Sequence, residues 1–391
     1  MADPRRIEDT RMRARLRRLL TSLILGVVWP GLAMAQTPPP QGAEGNPPAE
    51  QAPTAAKPAN ASVGRYPLPE SGDIVGRVQT VEAKAEDTLI DIGQRYGIGY
   101  EAMRLANPDV NVWVPGEGTQ VVVPTRFILP PGPREGIVIN LAEMRLYYYP
   151  PARNGESPRV ETYPIGIGRA GWQTPLGTTR IETKIKDPAW YPPKSIAREH
   201  AEDGRPLPSV VPAGPDNPLG EYAMILGLPG YMIHGTNRPQ GVGMRVSHGC
   251  IRMLPRDIEN LVHRIPDGTP VRIIDQPFKL GWDGAGTLFA QAYPVEHGGD
   301  SSVGTPPSED VLAAVDQALK DHRFLVDFTR LEALRADPTG VPGSLLLAGR
   351  PFPLPEPPQT FFTRAQLLTS LYSQVAGDTA KPEKATDTPT P

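Results

Sequence analysis

The sequence predicts a mainly β protein: a β-sandwich or barrel, preceded by a small β-α-α-β unit and followed by a partly helical extension. Three observations predict it. Between residues 134 and 276, short apolar and β-branched runs recur between glycine and proline turns, as in sandwiches and barrels. Between 77 and 124, two short helical patterns lie inside two strand patterns in fewer than 50 residues. Beyond 277 the clearest signal is helical, with Val311, Val315, Ala318 and Leu319 at i, i+4, i+7 and i+8. The 49 prolines and 39 glycines make up about 22% of the 391 residues, against ~12% in average usage. Part of the chain must therefore be linker.

The linker and a leader are found at the start. Residues 1–18 hold seven arginines and three acids, and an apolar run follows from Leu19 to Met34, interrupted by Trp29-Pro30-Gly31. Ala33-Met34-Ala35-Gln36 has the small-x-small form of a signal-peptidase site, so residues 1–35 are expected to be a signal peptide. The alternative is a membrane anchor, but the run has at most 16 residues, whereas about 20 are needed to span. Arginine pairs at 5–6 and 17–18 leave the export route open. Loss of the leader takes the formal charge from −3 to −7, and no stable membrane span is then expected. Residues 36–64, with seven prolines and no aromatic residue, read as a flexible linker. Residues 377–391, rich in Thr, Pro, Lys and Asp, read as a disordered tail.

In the 77–124 unit, Arg77 to Ala83 alternates like a strand. Asp87 is placed to cap a helix carrying Leu89, Ile90, Ile92 and Tyr96, which ends at Gly97. A second helix from Tyr100 to Ala106 stops at Asn107-Pro108, and Gln120 to Val123 closes the unit. Its core is small enough to be marginal alone, so it is expected to be an accessory module.

In the 134–276 domain, Gly136 to Asn140 and Met144 to Tyr149 flank Leu141-Ala142-Glu143 as a hairpin. Val160 to Ile167, Thr178 to Lys186, Tyr222 to Leu226, Tyr231 to His234 and Val271 to Ile274 are further strands. One helix runs from Pro255 to His263, with Pro255 as its first residue and Asp257 in its first turn. In the 277–376 extension, Ser308 is placed to cap the helix of Val311 to Leu319, and a second amphipathic segment runs from Phe361 to Val375. These helices either dock on the barrel or meet a partner.

Composition excludes some functions. With 40 basic and 43 acidic residues there is no concentrated positive face, so no nucleic acid is expected as a partner. A single cysteine allows neither an internal disulfide nor a cysteine-based structural zinc site.

The most informative segment is His234-Gly235-Thr236-Asn237 … Ser247-His248-Gly249-Cys250-Ile251-Arg252, which gathers two of six histidines and the only cysteine within 17 positions. A structural cysteine is usually set among apolar neighbours, whereas this one stands among Ser, His, Gly and Arg. In an exported protein a purposeless accessible thiol is a liability. A nucleophilic thiol is mostly un-ionised at neutral pH, so a nearby imidazole or cation is expected to lower the pKa of Cys250. His234 ends a strand and can face Cys250 as general base. Gly249 allows a tight turn in which the N–H groups of Gly249 and Cys250 converge on an oxyanion. Arg252 falls on the face of Cys250 if the chain is extended, with a guanidinium suited to a substrate carboxylate. His248 can line the acyl site or serve as the base. A zinc site of His234, His248 and Cys250 is the alternative, but it lacks an acidic fourth ligand nearby.

This segment resembles the signature of the YkuD-type L,D-transpeptidases, in particular the ErfK/YbiS-like branch. The similarity extends through Arg134-Glu135-Gly136-Ile137-Val138-Ile139-Asn140-Leu141, Tyr163-Pro164-Ile165-Gly166-Ile167-Gly168 and Val211-Pro212-Ala213-Gly214-Pro215-Asp216-Asn217-Pro218, over about residues 66–276. The resemblance implies that residues 134–276 form the L,D-transpeptidase fold, with Cys250 as nucleophile and His234 as general base/acid. It also implies that the Gly235 carbonyl orients that base, and that Ser247, His248, Gly249 and Arg252 line the site. Cys250 would then attack the carbonyl of the L-centre of diaminopimelate in a tetrapeptide stem of peptidoglycan and expel D-alanine. An amine would resolve the thioester. The amine of a second stem gives a 3→3 crosslink, a lysine attaches an outer-membrane lipoprotein, and water makes an L,D-carboxypeptidase. No metal or organic cofactor is required, acylation of Cys250 by carbapenems is expected, and the location implied is the periplasm of a Gram-negative envelope.

The 77–124 unit resembles the LysM wall-binding module. Val78-Gln79-Thr80-Val81, Glu86-Asp87-Thr88-Leu89, Ile92, Arg95-Tyr96-Gly97, Leu105-Ala106-Asn107-Pro108, Val114-Pro115-Gly116 and Val121-Val122-Val123-Pro124 match its pattern, with Glu86 where that family prefers glycine. The implied ligand is glycan containing N-acetylglucosamine, and the alternative is a module that only packs. Two other cysteine enzymes fit less well. A sortase-like cysteine follows a Thr-Leu-x-Thr strand, and an NlpC-type peptidase places its cysteine before the histidine. The non-enzyme rival is a peptidoglycan-binding scaffold with an inert barrel.

Overall fold

The computed structural model describes residues 64–152, 155–296, 303–320 and 325–346. The leader, most of the linker, the Phe361–Val375 segment and the 377–391 tail lie outside the described residues. The chain opens with β1 (Arg65–Pro67), β2 (Ile74–Gly76) and β3 (Gln79–Glu82), followed by α1 (Leu89–Tyr96), α2 (Tyr100–Ala106), β4 (Gln120–Val123) and β5 (Arg126–Ile128). The central part runs through β6 (Gly136–Asn140), β7 (Arg145–Tyr149), β8 (Arg159–Gly168), β9 (Gly177–Lys186) and α3 (Lys194–Glu202). It continues with β10 (Tyr222–Leu226), β11 (Met232–His234), β12 (Arg245–Ser247), β13 (Ile251–Met253), α4 (Pro255–Val262) and β14 (Pro270–Ile274). The last part holds β15 (Phe278–Trp282), β16 (Leu288–Ala292), β17 (Val295–Glu296), β18 (Val303–Gly304), α5 (Ser308–Leu319), α6 (Phe328–Ala336) and β19 (Gly343–Ser344).

The central strands close on themselves. Their order is β8-β13-β11-β10-β9-β14-β6-β7, and β7 pairs back onto β8, while β1 and β12 also pair with β8. The fold is thus the mainly β, barrel-like architecture expected from the sequence. Ile137, Ile139, Leu146, Tyr148, Ile165, Ile233 and Ile251 face its interior, with Ile258 and Leu261 of α4 against them.

Why β6 and β7 carry unbroken apolar runs follows from what covers their outer face. Val138, Tyr147, Tyr149 and Val160 point away from the barrel interior into a second core, shared with Leu89, Ile92, Ile98, Met103, Val121 and Val123 of the β-α-α-β unit. A sheet buried on both faces loses the alternation of a half-exposed strand. The unit's small core is completed by the barrel wall.

Within that unit the helix start differs from expectation. Thr88 is the cap of α1, in a reciprocal capping box with Asp91. Asp87 instead forms an ion pair with Arg95 at 2.6 Å, and that contact holds its carboxyl down at about 2. Gly97 ends the helix in the left-handed conformation, at φ 69°.

The C-terminal part carries, beside the expected helix, a β-hairpin that its sequence did not signal. β15 and β16 form an antiparallel hairpin, β19 joins its edge, and α5 packs Val311, Val315 and Leu319 into their common core. Ser308 lies inside α5, whose cap position is Pro307, and it makes no side-chain cap bond. The hairpin is tied to the barrel by a buried polar knot. Lys279 Nζ donates to Glu143 at 2.9 and 3.0 Å, and Tyr147 and Asn140 donate to the same carboxylate at 2.9 and 2.7 Å.

Candidate active site

The site is built on two neighbouring parallel strands. In the β11–β13 ladder Ile233 lies opposite Ile251 and His234 opposite Arg252. Because side chains alternate along a strand, Ile233 and Ile251 enter the core, while His234 and Arg252 share the other face with Cys250, two residues before Arg252. Cys250 is half-buried and lies diagonally across the ladder from His234.

His234 is buried, and its Nδ1 lies 2.7 Å from the carbonyl oxygen of Gly235. A carbonyl only accepts, so Nδ1 carries the proton and Nε2 keeps its lone pair. Burial and then the charge of Arg252 push the His234 pKa down to about 4, against the pull of the Gly235 and Leu219 carbonyls. The imidazole is neutral at neutral pH.

The thiol departs from the expectation of a lowered pKa. Burial raises the Cys250 pKa, and the opposing effects of the Met232 N–H and the Arg252 charge do not cancel it. Its Sγ–H donates to Gly230 O over a long 3.7 Å. Cys250 and His234 therefore rest as a neutral pair. Arg252 is itself mostly buried, and its Nε has no hydrogen-bond partner.

The turn before Cys250 is braced from two sides. Ser247 Oγ donates to Cys250 O at 2.5 Å and accepts from Gly249 N at 3.1 Å, so one of the two N–H groups expected to face an oxyanion is directed inward. Thr174 Oγ1 donates to Gly249 O at 2.8 Å and accepts from Gly168 N at 3.3 Å. Gly249 has φ +102°, and a Cβ there would lie 2.9 Å from Tyr231 Cε1, so turn and neighbour both call for glycine. Ser247 is buried and serves the turn.

His248 faces away from this brace. Its Nε2 lies 3.1 Å from Glu199 Oε2 and 3.1 Å from Arg169 Nη2, Glu199 and Arg169 form an ion pair with each other, and Trp172 meets the ring edge-on. Burial lowers the His248 pKa; the Glu199 contact raises it, and the charges of Arg169 and Arg252 add to the lowering. Glu199 belongs to α3, so this contact holds the 188–217 segment beside the site.

The structure thus brings His234, Gly235, Ser247, His248, Gly249, Cys250 and Arg252 to one place, although no hydrogen bond joins His234 to Cys250 among the described residues. Thr174, Arg169 and Glu199 escaped the sequence reading. No motif or spacing signals Thr174 or Glu199, and Arg169 directly follows the strand motif ending at Gly168. Among the described residues no group of three or more His, Cys, Asp or Glu is arranged to hold a metal ion.

Residues 134–273 match the YkuD family, the L,D-transpeptidase catalytic domain. The match extends well beyond it in curated relatives. ErfK/SrfK of Salmonella typhimurium, named a probable L,D-transpeptidase, is 46% identical over 232 residues, which cover 58% of this chain and 74% of that protein. The chain belongs to the L,D-transpeptidase family. ErfK/SrfK of Escherichia coli K12 is 42% identical over 64% of this chain and 83% of its own length. YbiS of the same strain is 43% identical over 60% and 76%. Both also carry the name of probable L,D-transpeptidases. The protein is accordingly an enzyme of a family that acts on peptidoglycan.

Proposed function

We propose that Cys250 and His234 carry out acyl transfer on tetrapeptide stems of peptidoglycan. The observation that carries the reading is their placement on one face of adjacent strands, with a neutral His234 held by Gly235 in the tautomer that can accept a proton at Nε2. His234 takes the thiol proton as sulfur attacks the carbonyl at the L-centre of diaminopimelate, and returns it to the amine of departing D-alanine. The Cys250 N–H faces the oxyanion, and Arg252, with its unpartnered Nε, receives a stem carboxylate. An amine then attacks the thioester. The acceptor is a second-stem amine, giving a 3→3 crosslink, or a lipoprotein lysine, with water as the hydrolytic alternative, and the product assay below separates them. Carbapenems acylate the same sulfur. From the signal-peptide pattern of residues 1–35 and the relatives in Salmonella and Escherichia coli we place the enzyme in the periplasm.

For the β-α-α-β unit at 77–124 we propose binding to wall glycan in the manner of LysM modules. Exposed Trp113 and Val114 offer an apolar surface for sugar rings.

Purified enzyme incubated with tetrapeptide muropeptides, with and without a lysine-ended lipoprotein peptide, is expected to release D-alanine and form crosslinked dimers, read by mass. Cys250→Ala should fold and release none; release by that variant would overturn the reading. His234→Ala should slow acylation by roughly 10²-fold or more. An unchanged rate would shift the base role to His248.

A further inference from the structure

The loop from Gly235 to Met244 joins the strand of His234 to the strand that leads into Cys250, and its two sides rest on different parts of the molecule. On the barrel side, Gly243 N donates to Ile165 O and Ile167 N to Met244 O, both at 3.1 Å. On the other side lie α1 and α2 of the β-α-α-β unit. Glu101 N donates to Gly243 O at 3.1 Å, Tyr100 N to Val242 O at 3.4 Å, and the Gln94 side chain to Pro239 O at 3.5 Å. The approach is backbone against backbone: a Cβ on Gly99 would lie 2.7 Å from Gly243 Cα, and one on Gly243 would lie 2.3 Å from Tyr100 N. The same helices are also tied to the chain just beyond the nucleophile. Arg256, in the first turn of α4, donates to Gln94 O; separately, Arg145 of β7 in the barrel wall donates to Gly97 O at 3.0 Å.

A unit that only tethered the enzyme to glycan would need no contact with this loop. We propose that the β-α-α-β unit is a positioning part of the catalytic centre, in which the α1–α2 turn holds residues 239–244 where His234 and Cys250 are set for reaction. The inference rests on the acyl-transfer reading above. Gly99, Gln94 and Arg256 act as positioning residues: they touch neither substrate nor sulfur, and they act through the loop. A displacement of about 1 Å in a catalytic segment can cost roughly 10²-fold in rate. Moving a Cβ from 2.7 Å to ordinary contact at about 3.5–4 Å requires a displacement of that size.

Gly99→Ala isolates the junction. Gly99 has φ −81° and ψ 167°, open to any residue, so the variant strains no backbone angle and presses mainly on Gly243, with a lesser contact at 3.3 Å to Pro164 Cβ of the barrel. The assay is D-alanine release from a free tetrapeptide without sugar, which removes any contribution from glycan binding. The expected result is a kcat lower by roughly tenfold or more, an unchanged KM and a native far-UV spectrum. Gln94→Ala/Arg256→Gln removes the side-chain ties without adding volume. It should lower kcat by roughly threefold, and it decides the matter if Gly99→Ala does not fold. Folded variants with wild-type kcat would overturn the inference and leave the unit a tether. A wild-type enzyme that releases no D-alanine would instead overturn the acyl-transfer reading.

Discussion

At the residue scale, the arrangement of His234 and Cys250 sets how the site responds to pH. A histidine held at about 4 when folded and near 6.5 when unfolded takes up its proton in the unfolded state first. Its contribution is complete above about pH 6.5 and is lost as pH falls toward 4, by up to about 3 kcal/mol for so buried a group. Thermal unfolding measured from pH 7 to 4.5 should therefore show a steep fall in the wild type and a flatter one in His234→Gln. Equal slopes would mean that His234 does not carry the deficit. The same burial that keeps the imidazole neutral raises the thiol, so under the acyl-transfer reading proposed above the thiolate would form by proton transfer to His234 during attack. The identities of these two residues were legible from a seventeen-residue segment of sequence. Their protonation states were not, because desolvation depends on what the rest of the chain packs around them.

At the scale of elements, the Ser247–Cys250 turn is held in place by contacts from another strand connection. Thr174→Val keeps the shape of the side chain but removes the donor to Gly249 O and the acceptor of Gly168 N, both buried. Leaving such groups unpaired costs about 1–3 kcal/mol, which urea unfolding would register together with a reduced kcat. Unchanged stability would show that water replaces the hydroxyl. Element boundaries were largely readable from local pattern, and each miss has its own physical reason. Thr88 and Asp87 are both good caps, and the choice between them was settled by Arg95, about two turns on, in the last turn of the helix. Ser308 looked like a cap but follows Pro307, which takes that position. α3 left no pattern to read, because Ile196 is its one buried residue among the nine.

At the scale of the whole molecule, the β-α-α-β unit and the C-terminal hairpin both complete the barrel. Lys279 and Glu143 pair in full burial, where removing one partner leaves the other charge uncompensated. Lys279→Met should therefore destabilise the protein by about 3–5 kcal/mol in urea unfolding, and Lys279→Met/Glu143→Gln should recover part of that loss. A single variant as stable as wild type would show that Tyr147 and Asn140 suffice for the carboxylate. The sequence by itself determined the mainly β class, the succession of short strands in the barrel, and the histidine, cysteine and arginine of the site. Each of these is written in nearest-neighbour pattern or in residue chemistry at short spacing. Tertiary structure decided the closure of β7 onto β8, the second core that buries the outer faces of β6 and β7, the bracing of Gly249 by Thr174, and the seating of the His234–Cys250 loop on α2. These depend on contacts between residues far apart in the chain, for which a local pattern has no period.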